Sequence, residues 1–240
     1  MKLLKFTKHC FLFLLVLAML SWLKAESGLS EVHGRISADN NPIFTMTVSY
    51  TENDGMGHNT VHYYDMAGQL RMEEKEVFHP QTLELIRFTL EDFKSGREEE
   101  FHKNKGQMVI RYKKDSQSHW KEKVQKLSRH LLHGSMVAIY IAQKIKDLEK
   151  GKKVSLKLLV PKYLTSYSFD LKKEEEVKVE GKKAYKIRMY PSSWFLRGVV
   201  KSTYFYVEAE APHRLLKFEG LVTPKKDNGK SFTGVALFSY

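Results

Sequence analysis

Cysteine is almost missing from this chain. Of 240 residues one is cysteine, Cys10, and it sits inside an apolar run near the N-terminus. Beyond that run there is no thiol, which excludes a disulfide, a thiolate nucleophile and a cysteine-held metal there. Proline and glycine are sparse, at 6 and 14 residues, and no stretch reads as a low-complexity linker or a collagen-like repeat. Short catalytic motifs are missing too. The sequence has no glycine-rich phosphate loop, no His-Glu-x-x-His, no EF-hand loop and no Gly-x-Ser-x-Gly elbow; Ser192 and Ser193 sit in an ordinary turn, Tyr190-Pro191-Ser192-Ser193-Trp194. His58 and His62 flank an expected strand, which would hold them about 13 Å apart, too far to share a metal. His130 and His133 would suit one zinc if helical, but no third ligand stands at a motif spacing. No pair of carboxylates sits in an apolar run that would raise a pKa for acid–base work. The expectation is a protein that is not an enzyme, with no catalytic residues, no metal and no cofactor.

What is present begins with an address. Lys2, Lys5 and Lys8 precede an unbroken apolar run from Cys10 to Leu20, and Ala25 follows shortly after. That is the layout of a secretory signal peptide at residues 1–25, too short in its apolar part to span a bilayer comfortably. A single domain is expected over residues 26–240, exported without disulfides, which suits a bacterial periplasm. Removing the four lysines of the leader takes the net charge from +12 to +8. A basic exported chain suggests an anionic membrane surface as partner and makes nucleic acid an unsuitable one. Acidic runs such as Glu98-Glu99-Glu100 and Glu174-Glu175-Glu176 also fit a merely solvated surface.

The rest reads as a long meander. Turn signals recur at strand spacing, among them Asp54-Gly55, Lys105-Gly106, Glu180-Gly181 and, sharpest of all, Asn228-Gly229. Between them apolar and polar residues alternate with period two, as in Phe44, Met46 and Val48 against Thr45, Thr47 and Ser49. About a dozen antiparallel strands with one buried face are expected, and a sheet of that size tends to curl. One helix interrupts the pattern at residues 135–150. Val137, Ile141, Ile145 and Leu148 form its stripe, Ser135 its N-cap, and Gly151 stands where a left-handed C-cap belongs. Residues 121–132 are read as an earlier amphipathic helical turn or two. The fold class is mainly β: a strongly curved antiparallel sheet, a half-barrel or open barrel, enclosing a central helix.

The side chains expected on the concave face are long, flexible or aromatic: Met46, Phe88, Met108, Ile139, Tyr140, Tyr185, Ile187, Met189, Phe205 and Phe218. They would line either a packed core or a site for a lipid or acyl chain, with the helix as plug and Lys172, Lys173, Lys182 and Lys183 at the rim.

Several stretches resemble a known family. They are the helix at Met136-Ala138-Ile139-Tyr140, the strand pair around Val177 to Tyr190, and the run Val207 to Gly220, in which a strand ends in an acidic residue, turns at proline and resumes as basic-Leu-x-x-x-Glu-Gly. Over roughly residues 40 to 223 the chain is similar to exported bacterial proteins of unknown function. That family is itself similar in architecture to the periplasmic lipoprotein-sorting proteins LolA and LolB, open barrels of antiparallel strands around helices. The resemblance supplies no catalytic residues. The functional expectation is an exported binding or carrier module for a lipid or other hydrophobic ligand of the bacterial envelope. The alternatives are a dry-core structural or interaction protein, or an enzyme acting on an envelope component.

Overall fold

The computed structural model describes residues 30–127, 131–226 and 229–240; the expected leader, His130 and Asn228 lie outside them. Eight strands follow one another: β1 (Ser30–Ala38), β2 (Asn41–Asn53), β3 (Met56–Asp65), β4 (Leu70–His79), β5 (Glu84–Asp92), β6 (Arg97–Asn104), β7 (Gln107–Lys113) and β8 (Lys121–Lys126). A two-residue strand β9 (Leu131–Leu132) then leads into helix α1 (Met136–Glu149). After it come β10 (Val154–Val160), a 3-10 turn (Pro161–Tyr163), β11 (Thr165–Val179), β12 (Lys182–Pro191), the short helix α2 (Trp194–Arg197), β13 (Thr203–Glu208), β14 (Leu215–Leu221) and β15 (Thr233–Ser239).

All the strands belong to one 15-stranded sheet, ordered β8 back to β1, then β15 back to β9. The first and last strands are therefore neighbours, with His33 opposite Ser239. Every pairing is antiparallel except the two rungs between β9 and β10. Two-residue turns make four of the hairpins, β1–β2, β2–β3, β6–β7 and β11–β12. Asp54-Gly55 and Glu180-Gly181 both carry positive φ at each position, the conformation that matches the twist of a hairpin. The turn expected at Asn228-Gly229 falls on Asn228, outside the described residues. The β14–β15 connection is a longer loop, in which Gly229 donates its N–H to the Lys226 carbonyl at 2.8 Å.

The sheet curls around α1. Met136, Val137, Tyr140, Ile141, Ile145 and Leu148 are buried, and the helix packs against β10, β11 and β13. Its ends are only partly as expected. Gly151 has φ +74 and donates to the Leu148 carbonyl, but the Ser135 side chain makes no cap and turns inward instead. A correction concerns residues 121–132. Lys121–Lys126 is a strand at the edge of the sheet and pairs only with β7. Being wet on both faces, it lacks the alternation that marks a half-buried strand.

Because the strands alternate in direction, the connections fall at two opposite ends. One end, the upper rim, carries the β3–β4, β5–β6 and β7–β8 turns, the 3-10 turn, the α2 loop and the β14–β15 loop. The rim comes together across the barrel. The 3-10 turn packs on β6 and β7, and Arg97 Nη2 donates to the Thr223 carbonyl at 3.2 Å.

Candidate functional site

The expected concave-face residues do share one side of the sheet. Met46, Phe88, Met108, Tyr140, Ile187, Met189 and Phe205 belong to a single buried apolar cluster, with Ile139, Tyr185 and Phe218 packed against its edge. Phe205 and Phe218 meet edge to face at 5.3 Å. Tyr185 is held by its phenol, which donates to Glu149 Oε1 at 2.8 Å and so ties β12 to the end of α1. The space they face is occupied by the helix. Of the lysines expected at a rim, Lys182 and Lys183 lie on β12 beside the Glu180-Gly181 turn, which belongs to the lower end, whereas Lys172 and Lys173 lie at the middle of β11, opposite Arg188 and Ile187.

The N-terminal half of the same concave face carries something unexpected: a buried polar string. In β3, β4 and β6 the inward positions include Asn59, then Glu74 and Glu76, then Arg97 and Glu99, all buried among Val61, Met72, Phe78 and Phe101. Glu76 is the hub at its inner end. One carboxylate oxygen accepts from Asn59 Nδ2 at 3.0 Å and from the Ser135 hydroxyl. The other lies 2.9 Å from Nδ1 of His133. Asn59 also donates to Ser135. Three chain segments, β3, β4 and the entry to α1, are thereby joined at one carboxylate.

Glu74 is the odd member. It is 2% exposed, and its Oε1 is buried with no hydrogen-bond partner among the described residues. Burial is the main reason its pKa is pushed up to about 7, with His133 pulling it down and the charges of Glu76 and Glu99 adding to the rise. The expectation that no carboxylate here has a raised pKa is thus overturned. Glu99 is raised as well, by burial against the pull of Arg97, whose Nε lies 3.7 Å from its Oε1. For His133, burial alone would lower the pKa, but the hydrogen bond and charge of Glu76, reinforced by Glu74 and Glu99, raise it above 6.5. Tyr63, buried beside Glu74, is pushed well above its ordinary value, mainly by burial. The string ends below the upper rim, where Arg97 reaches Thr223.

Of the two histidine pairs, neither expected to hold a metal, His130 lies outside the described residues. His62 sits on the convex face, 2.8 Å from Glu73, whereas His133 is interior.

No protein-family profile matches this chain, and no curated protein does. Solved structures do. A β-barrel-like protein of domain of unknown function DUF1849 from Brucella abortus aligns over 88% of this chain and 94% of its own length, with a TM-score of 0.53 and 6% identity. A DUF1329 family protein from Desulfovibrio piger aligns over 92% and 88%, at 10% identity and a TM-score of only 0.25. The expected likeness to LolA and LolB is not shown by these comparisons. What they do show, through the first of the two, is the fold: this chain is a β-barrel-like protein with a large, curved, unclosed sheet.

Proposed function

We propose that this protein is an exported, periplasmic module that binds or carries an amphipathic lipid of the bacterial envelope. One observation carries the reading: the concave face is itself amphipathic. Apolar side chains surround α1, and beside them runs a buried polar string in which Glu74 Oε1 has no hydrogen-bond partner among the described residues. A buried polar atom without a partner costs about 1–3 kcal/mol, and a ligand bearing an O–H or N–H donor removes that cost. An acyl chain adds about 0.8 kcal/mol for each buried methylene. In this reading the chain lies along α1 against Ile139, Tyr185 and Phe218, the partly buried members of the lining. The head group meets Glu74 and its neighbours. The fold of the DUF1849 neighbour fits such a module and says nothing of the ligand.

Native mass spectrometry of the gently purified protein tests this. A co-purifying lipid, or micromolar binding of a fluorescent fatty acid or phospholipid, is expected. Glu74→Gln should weaken binding of a donor-bearing lipid about tenfold, the worth of one well-placed hydrogen bond, and Ile139→Ser should weaken binding of any acyl chain. A correctly folded protein that binds no lipid overturns the reading. A dry-core interaction role then becomes the account, and the complete burial of Phe88 and Ile187 favours it.

A further inference from the structure

Among the described residues, twelve large apolar side chains stand exposed. Nine of them sit on the upper rim: Met66, Leu70, Phe93, Tyr163, Trp194, Phe195, Val199, Val200 and Leu221. The lower rim loops contribute none of the twelve; the other three are on β8, on β15 and at the C-terminus. So one-sided a distribution is unlike the scattered apolar residues of an ordinary surface, and marks a contact region.

The most prominent piece is the α2 loop, and it is built rather than loose. Arg197 Nε donates to the Pro191 carbonyl at 2.9 Å and Nη2 to the Ser192 carbonyl at 3.2 Å. The same guanidinium lies over the Tyr190 ring, 4.8 Å from its centre. Within the loop, the N–H of Val200 donates to the Leu196 carbonyl at 2.8 Å. These bonds hold Trp194 at 82% exposure and Phe195 at 70%. Tryptophan and tyrosine suit the boundary between water and lipid, where one edge of the ring is wet and the other apolar.

Charge names the occupant. Lys94, Lys114, Lys162, Lys201, Lys225 and Lys226 belong to the same rim loops, whose acidic residues in the described chain are Asp39 and Asp115. Basic side chains ringing an aromatic and aliphatic tip match a bilayer that carries anionic head groups.

We infer that the upper rim docks on an anionic phospholipid surface, with Trp194, Phe195, Val199 and Val200 entering the head-group layer. Docking in this way puts the β5–β6 and β14–β15 loops, and with them the Arg97 end of the polar string, against the membrane. The inference goes beyond lipid binding inside the barrel and does not depend on it.

The test uses the full chain with vesicles of phosphatidylcholine, alone or mixed with phosphatidylglycerol, some carrying brominated acyl chains. Trp194 is followed as the difference between wild type and Trp194→Phe, so that Trp22 and Trp120 cancel. With the mixed vesicles, the Trp194 emission should move to shorter wavelength and be quenched by bromine. Added salt should weaken the effect. A Phe195→Ser/Val199→Ser/Val200→Ser variant should lose about tenfold in vesicle affinity measured at Trp194, and Lys162→Glu/Lys201→Glu should lose the preference for anionic lipid. These positions are exposed, and unchanged circular dichroism and melting confirm that the variants are folded. Trp194 emission that stays at its fully hydrated position with both kinds of vesicle overturns the inference, even if another segment tethers the chain. Concentration-dependent self-association that disappears in the triple variant, without a lipid effect, assigns the rim to a second copy and overturns it too. Loss of vesicle docking with lipid retained in native mass spectrometry separates this inference from the carrier reading, and the converse separates them equally.

Discussion

The imidazole of His133 lies against the ring of Phe88, centroids 3.6 Å apart, while its Nδ1 is held 2.9 Å from Glu76. An apolar face and a carboxylate edge thus grip one side chain from two directions. The carboxylates win the contest over its charge, so the ring-proton NMR titration of His133 is expected to lie above 6.5. In Glu76→Ala it should fall, because burial then acts with less opposition.

The same substitution strips Asn59, Ser135 and His133 of a common partner in the interior. Removing one member of such a buried set costs about 3–5 kcal/mol. Urea unfolding should show a loss of that order for Glu76→Ala and a clearly smaller one for Glu76→Gln, which keeps the shape and one acceptor.

Glu74 sets a pH dependence of stability. Its pKa is 4.5 in the unfolded reference and about 7 in the fold. The folded state therefore holds the proton over that window while the unfolded chain releases it, and stability falls as pH rises from 4.5 to 7. The linked cost is about 3 kcal/mol at and above neutral pH. His133, also raised, loses stability in the same direction above 6.5. Melting temperatures across pH 4.5–7 should decline in the wild type. Glu74→Gln should flatten the decline and raise stability at neutral pH.

The sheet was legible from the sequence because Phe44, Met46 and Val48 alternate cleanly with polar neighbours. The helix was legible because Val137, Ile141, Ile145 and Leu148 keep its period. The polar string was not. Strand β4 runs Met72, Glu74, Glu76, Phe78 on its inward positions, and hydropathy alone assigns glutamates to the wet face. The signal was phase rather than polarity: Met72 and Phe78 fix which positions face inward, and both glutamates share it. Asn59 between Gly57 and Val61 repeats the lesson. The rim escaped for another reason. Periodicity says nothing of loops, and only the folded chain brings Phe93, Tyr163 and Trp194 to one end.

Core substitutions should separate the plug from the margin. Ile141 has no exposed surface, whereas Ile139 is partly exposed at the edge of the cluster. Ile141→Ala is expected to cost about 3 kcal/mol in denaturant unfolding and Ile139→Ala distinctly less, since the latter leaves a smaller void.

A last substitution tests the packing of two rim turns. Gly96 has φ +67, and a Cβ there would lie 2.7 Å from the backbone nitrogen of Ser116. Neither the strain nor the clash with a main chain relaxes cheaply. Gly96→Ala should therefore destabilise by about 1–3 kcal/mol, read as a lower urea midpoint with an unchanged slope.

The outermost strands, β8 and β9, are not bonded to each other. A closed barrel can widen only by tearing a row of main-chain hydrogen bonds, which makes its bore a fixed dimension. Here the wall has a seam. Prising it apart disturbs side-chain packing, such as that of the 3-10 turn on β6 and β7, and leaves every ladder intact. The bore of this molecule is therefore set by what fills it, and its girth can change at the expense of side-chain contacts across the seam, the bonds of Glu76 to His133 and Ser135 among them, rather than of main-chain ladders.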